Sequence, residues 1–184
     1  VIKPTSGTIS IMGYDIAKQT LSAKELMGII PEVSNAYTDL SGWNNMIFQG
    51  ELYGLDRAKR IRLTTELLKD FELYDRRNQL VKFYSKGMKQ KLIICLALLN
   101  NPKILFLDEP TSGLGLEATR KLAGLIRQLR DTYTIVIIEH DMRFLFDLAD
   151  KISVVHWGQV IAEGTPGELM SNKWVKRSAL GDLG

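Results

Sequence analysis

Three short stretches of the chain carry residue types that can do chemistry together. The first is ILFLDEP (104–110), an apolar run that ends in Asp108, Glu109 and Pro110. Two adjacent carboxylates after an apolar strand are costly unless solvated or paired. Successive side chains of a strand diverge, so the two acids can take different jobs. One can hold Mg²⁺ through its water shell, since hard cations prefer oxygen ligands. The other can orient or deprotonate an attacking water. The same residues also fit a plain polar strand exit with Pro110 as its stopper.

The second stretch is IVIIEHD (135–141), where an apolar run ends in Glu139, His140 and Asp141. A histidine at such a strand end faces the same sheet edge as Asp108 and Glu109. Neutral imidazole can hydrogen-bond a phosphate oxygen or a water. The alternative is a helix-entry loop with Asp141 as its cap. The third stretch is YSKGMKQK (84–91) at a helix start. Ser85 can cap that helix, and the N–H groups of its first turn make an anion site. Gly87 lets a ligand approach the backbone, while Lys86 and Lys89 add positive charge. An ordinary N-cap is the competing reading. His156, inside a later strand, reads as structural.

The surrounding elements must bring these stretches to one place. Residues 8–12 (TISIM) and 27–30 (MGII) read as strands, the second stopped by Pro31. Residues 33–100 read as mostly helical: a weak helix over 44–52, a better one over 57–71, and a third over 87–99. Leu63, Leu67 and Phe71 recur four apart on one face of the second. From residue 104 the character is α/β. ILFL and IVII are continuous apolar runs, as expected of parallel strands buried on both faces. Between them Ala118, Leu122, Leu125, Ile126 and Leu129 form a helical stripe. Residues 151–157 and 159–163 pair as a hairpin about Gly158, and a last short helix lies near Glu168. Strand–helix–strand alternation implies a right-handed parallel core, and in such sheets ligands gather beyond the carboxyl ends of the strands.

Composition narrows the class. The 184 residues include 45% apolar types and one cysteine, with 24 Lys+Arg against 21 Asp+Glu. Disorder, collagen-like repeats and an internal disulfide framework are excluded. Cys95 in an apolar run suits a reducing compartment. The longest apolar run, 92–99, is far short of the ~20 residues a bilayer needs, and VIKPTSGT lacks the apolar core of a secretory leader. The expected location is therefore cytoplasmic, peripheral at the inner face of the cell membrane, with membrane contact only through a partner. Residues 56–91 hold eleven Lys+Arg and five Asp+Glu. That basic stretch is either a solvated helical face or a surface near headgroups, phosphates or an acidic partner. No stacking aromatics alternate with its charges, so nucleic acid is not expected as a partner.

Taken together, the stretches resemble the ATP-binding-cassette (ABC) ATPases. YSKGMKQKL resembles the signature motif of that family, ILFLDEP its Walker B strand with the catalytic glutamate, TSGLG its D-loop, and IVIIEHD its switch-histidine strand. GIIPE stands in the place of the Q-loop, and KPTSGTISIMGYDI matches the stretch after the first helix. Order and spacing agree from Lys3 to about Leu169. The Tyr-Ser-x-Gly-Met form is most similar to subunits serving ABC-2-type exporters. The resemblance implies an α/β fold: a P-loop NTPase-like parallel sheet core with a helical subdomain insertion, N-terminally incomplete. It implies a division into 1–32 (up to the Q-loop), 33–100 (the helical subdomain, ending in the signature helix) and 101–184 (Walker B, D-loop and switch histidine).

The same resemblance implies ATP and Mg²⁺ as cofactors. Asp108 and Glu32 would serve the metal, Glu109 would act as base, and His140 would contact the γ-phosphate. Ser85, Lys86 and Gly87 would touch a nucleotide held by a second cassette subunit, in a head-to-tail dimer that drives a transmembrane permease. The sequence departs from the family in four ways. No G-x-x-x-x-G-K-[ST] phosphate loop occurs in these residues. Glu32 replaces the usual Q-loop glutamine, Gly115 replaces the D-loop aspartate, and Lys86 and Met88 alter the signature. The isolated stretch is therefore expected to be unstable or completed by another polypeptide, and to bind ATP weakly by itself. Two alternatives compete with an exporter ATPase. One is a non-catalytic cassette lending Ser85 and Gly87 to a partner's nucleotide; the other is a soluble cassette protein of DNA repair or translation.

Overall fold

The computed structural model describes residues 4–33, 35–171 and 175. Lys3 and the outermost ends of the 1–32 and 101–184 segments lie outside them. The expected strand at 8–12 is reduced to β1 (Ser10–Ile11), paired antiparallel with β2 (Tyr14–Asp15). The reversal falls on Met12 and Gly13, with φ of 49° and 87°. Two successive left-handed residues make a tight turn that suits glycine and strains methionine. A short helix α1 (Thr20–Glu25) leads into β3 (Met27–Ile30).

Three helices follow: α2 (Gly42–Leu52), α3 (Arg57–Asp70) and α4 (Lys86–Leu98). Each has a side-chain cap. Ser41 accepts from the Asn44 amide, Asp56 from Lys59, and Ser85 from Met88. The Lys59 amide also holds the Asp56 carboxyl below its usual range. From Leu92 to its end α4 is buried on every side, as an all-apolar helical stretch must be. Its core is continuous with that of the sheet. Met46 of α2 and Leu68 of α3 share one buried cluster with Ile30 of β3.

The remaining elements alternate: β4 (Ile104–Asp108), α5 (Leu116–Leu129), β5 (Thr134–Ile138), α6 (Met142–Leu148), β6 (Ile152–His156), β7 (Gln159–Gly164) and α7 (Pro166–Ser171). β3, β4 and β5 form a parallel sheet with β4 in the centre. β6 and β7 form the expected hairpin, joined through Ile152 to a small cluster containing Leu145 and Leu169. Gly28 of β3 has a packing reason. A Cβ there would meet Leu105 Cδ2 at 2.6 Å and the Ala97 carbonyl at 3.1 Å, so glycine lets α4 lie close on the sheet.

One expectation needs correction. IVII is not buried on both faces, for Val136 and Ile138 are exposed, Ile138 by 56%. Only Leu105 and Leu107 of β4 are fully buried, with Ile104 and Phe106 partly so. Ile30, Leu105 and Leu107 face the common core with Leu122, Ile126 and Phe144. The register carries Ile29, Phe106 and Val136 in a row across the other face. Among the described residues that face is uncovered at Ile29 and Val136. His156, in β6, is exposed and lies edge-on to Trp157.

Cys95 is fully buried in α4, and burial pushes its thiol well above the usual range. The thiolate is the reactive form. Cys95 is therefore expected to resist alkylation by iodoacetamide at pH 8 in the folded protein and to react at the free-thiol rate in urea. Equal rates in the two states would contradict this burial.

Candidate functional site

The register of the parallel sheet sets one rim. Asp108 pairs with Ile138 and Leu107 with Ile30. The next residues, Glu109, Glu139 and, two beyond Ile30, Glu32, therefore leave the sheet at its carboxyl edge. The Glu109 amide donates to the Ile138 carbonyl at 2.8 Å, which extends the β4–β5 pairing by one step. His140 Nδ1 lies 3.6 Å from Glu109 Oε1, with the imidazole 76% exposed and the carboxylate 38%. Asp108, the last residue of β4, is exposed. Asp141 caps α6, accepting from the Arg143 and Phe144 amides. The acid pair and the histidine thus share one rim, as their positions after the two apolar runs imply.

Glu109 has φ of +43°. That backbone is strained for a residue with a side chain, and such strain persists only where the surroundings hold it. Here the chain turns at once, with the Ser112 amide donating to the Glu109 carbonyl at 3.0 Å. Glu32 meets this turn, accepting from the Ser112 hydroxyl at 3.2 Å.

The second group stands at the start of α4. Tyr84 is buried, and its hydroxyl donates to the Arg76 carbonyl at 3.0 Å, which fixes the backbone just before Ser85. Burial raises the Tyr84 hydroxyl above its usual range. The Ser85 oxygen is engaged by the Met88 amide at 3.2 Å. Its hydroxyl hydrogen is the part left to donate outward. The amides of Lys86 and Gly87 come too early for intrahelical acceptors. Nothing would crowd a Cβ at Gly87, so there is room above the helix start. Lys86 reaches instead to Gly113, where a Cβ would fall 1.9 Å from its Nζ. Gly113 has φ of +60°, a conformation that glycine adopts without strain, while the flexible tip of Lys86 can move aside for a side chain.

Residues 109–115 therefore link the two groups. They leave the acidic rim at Glu109, pass under Lys86 at Gly113, and end at Gly115. There Leu114 and Gly115 border a cavity of about 590 Å³ that Ser85 and Gly87 also line. Among the described residues no three His, Cys, Asp or Glu side chains converge as a metal cage. Asp108 and Glu32 both stand at the carboxyl edge of the sheet, and a carboxylate is the kind of oxygen donor a magnesium ion takes.

Glu139 had no role in the reading from sequence. In the structure its side chain is 0% exposed, and it accepts from Thr111, His140 and Asp141. The only signal for it was a carboxylate directly after an apolar strand.

A family model described as ABC transporter matches residues 1–112. The daunorubicin/doxorubicin resistance ATP-binding protein DrrA of Streptomyces peucetius is 34% identical over 173 residues, covering 94% of this chain and 52% of that protein. The linearmycin resistance ATP-binding protein LnrL of Bacillus subtilis (strain 168) is 33% identical over 167 residues, covering 90% of this chain and 54% of that protein. The chain spans about half the length of these curated relatives. A solved structure of the ATP binding subunit of an ABC transporter superposes with a TM-score of 0.78 at 29% identity, covering 99% of this chain and 76% of that one.

Proposed function

The chain belongs to the ABC transporter family, and from that premise we propose that it is the ATP-hydrolysing part of an exporter's ATP-binding subunit. The observation that carries the reading is the shared rim, with His140 Nδ1 at 3.6 Å from Glu109 Oε1 beside Asp108. Bound Mg-ATP would supply the γ-phosphoryl group and its companion cation. Asp108, with Glu32 beside the turn, offers oxygens to that cation. Glu109 takes the proton of the attacking water, and His140 turns its other nitrogen towards a phosphate oxygen. Ser85 donates its hydroxyl hydrogen, and Lys86 and Gly87 their amides, to a nucleotide held by a second cassette subunit. Lys86 adds a positive charge that most signature motifs lack. Segment 33–100 moves as a helical subdomain and passes the change to a transmembrane permease. The intact Asp108, Glu109 and His140 favour this reading over a non-catalytic cassette. The resistance proteins among the relatives support export as the direction.

No G-x-x-x-x-G-K-[ST] stretch occurs in these 184 residues, and the species to assay is the full-length gene product. It is expected to hydrolyse Mg-ATP with a specific activity that rises with protein concentration, because each site needs two subunits. The 184-residue stretch alone is expected to bind Mg-ATP far more weakly. Binding without hydrolysis in the full-length protein, with permease present, would establish the non-catalytic reading instead. Equally tight binding by the short stretch would reveal a phosphate site elsewhere.

A further inference from the structure

Glu139 sits between the two strand ends and is fully enclosed. One oxygen, Oε1, accepts from the Thr111 amide at 2.8 Å and from the Thr111 hydroxyl. The other, Oε2, accepts from the His140 amide at 3.1 Å and the Asp141 amide at 3.4 Å. A buried carboxylate is tolerated only where such donors replace water. These donors come from both functional loops: Thr111 from the turn that carries Glu109, and His140 and Asp141 from the loop after β5.

We propose that Glu139 is a positioning residue that clamps the Glu109–Ser112 turn to the His140 loop and so keeps Glu109 in its left-handed conformation beside the imidazole. Glu109 is then held from both sides. Its amide is tied to Ile138 and its carbonyl to Ser112, and Thr111 is anchored by Glu139. Without the clamp the turn relaxes towards ordinary backbone angles and carries the Glu109 carboxylate away from His140. Glu139 cannot itself be the base. It is shut away from solvent, and four donors already occupy its two oxygens. The inference rests on the ATPase reading, since the clamped residues are those assigned to the attacking water and the γ-phosphate.

The test uses the full-length protein with Glu139→Gln, Thr111→Val and the double variant. Glutamine keeps the shape but sets an NH₂ against backbone N–H groups. Glu139→Gln is expected to lower kcat for Mg-ATP by up to about 100-fold, the cost of a catalytic group displaced by roughly 1 Å, with KM within about twofold. Thr111→Val, which removes one of the four donors, is expected to lower kcat less, and the double variant no further than Glu139→Gln alone. Amide hydrogen exchange at Thr111 is expected to accelerate in Glu139→Gln. Unchanged kcat per folded molecule, whatever the loss of stability, would overturn the proposal. So would a multiplicative double variant or unaltered exchange at Thr111. If Glu139→Gln does not fold, Thr111→Val decides, and unchanged kcat and exchange in it overturn the clamp. A wild-type protein without hydrolysis sinks the ATPase reading, while the exchange rates alone still decide the clamp.

Discussion

Glu109→Gln in the full-length protein is expected to slow ATP turnover about 100- to 10,000-fold, the range for loss of a general base. Mg-ATP binding should stay within about threefold of wild type, since ground-state contacts come from other groups. Glutamine copies the shape and tolerates φ of +43° as well or as badly as glutamate does, so the effect isolates the proton-accepting oxygen. Among the described residues the neighbouring carboxylates Glu139, Asp108 and Glu32, the last accepting from the Ser112 hydroxyl, have other partners or roles. Glu139 is enclosed and fully hydrogen-bonded, and Asp108 is the side chain expected to face the cation. Steady-state phosphate release and equilibrium nucleotide binding measure the two quantities separately. A variant that retains turnover would remove Glu109 from the role of base.

The second large effect concerns stability. Leu105 is fully buried in the central strand β4, with its Cδ2 against Gly28. Leu105→Ala removes three carbons where β3, β4 and α4 meet. It is expected to cost about 2–5 kcal/mol, the range for large-to-small changes in a rigid core. Glycine opposite cannot fill the space, which argues for the upper half of that range. The urea midpoint of the full-length protein should fall while the slope of the transition stays the same. A loss under about 1 kcal/mol would mean that the β3–β4 interface is much looser than described.

The rim was legible in the sequence because two apolar runs, each followed by charged residues and separated by a helical stripe, fit parallel strands ending on one edge. The caps at Ser85 and Asp141 were legible for the same local reason, since N-capping depends on a few consecutive residues. Glu139 was not legible. Its burial depends on Thr111, which lies 28 positions away, and no local pattern separates an enclosed carboxylate from a solvated one. The burial of β5 on both faces was read wrongly because a continuous apolar run reports the strand and not what covers its second face. Short elements such as β2 and α1 went unread, since a two-residue strand and a six-residue helix leave no periodicity to detect. The reach of Lys86 to Gly113 needed tertiary structure as well.

The connecting residues 109–115 leave little slack between the strand end and the helix start. One short tether serves two customers, so neither can be retuned without disturbing the other. A substitution that eases the backbone at Thr111 or Gly113 is inherited at both ends, and an inserted residue would uncouple them. Over evolutionary time such a stretch should drift less than the longer loops around it.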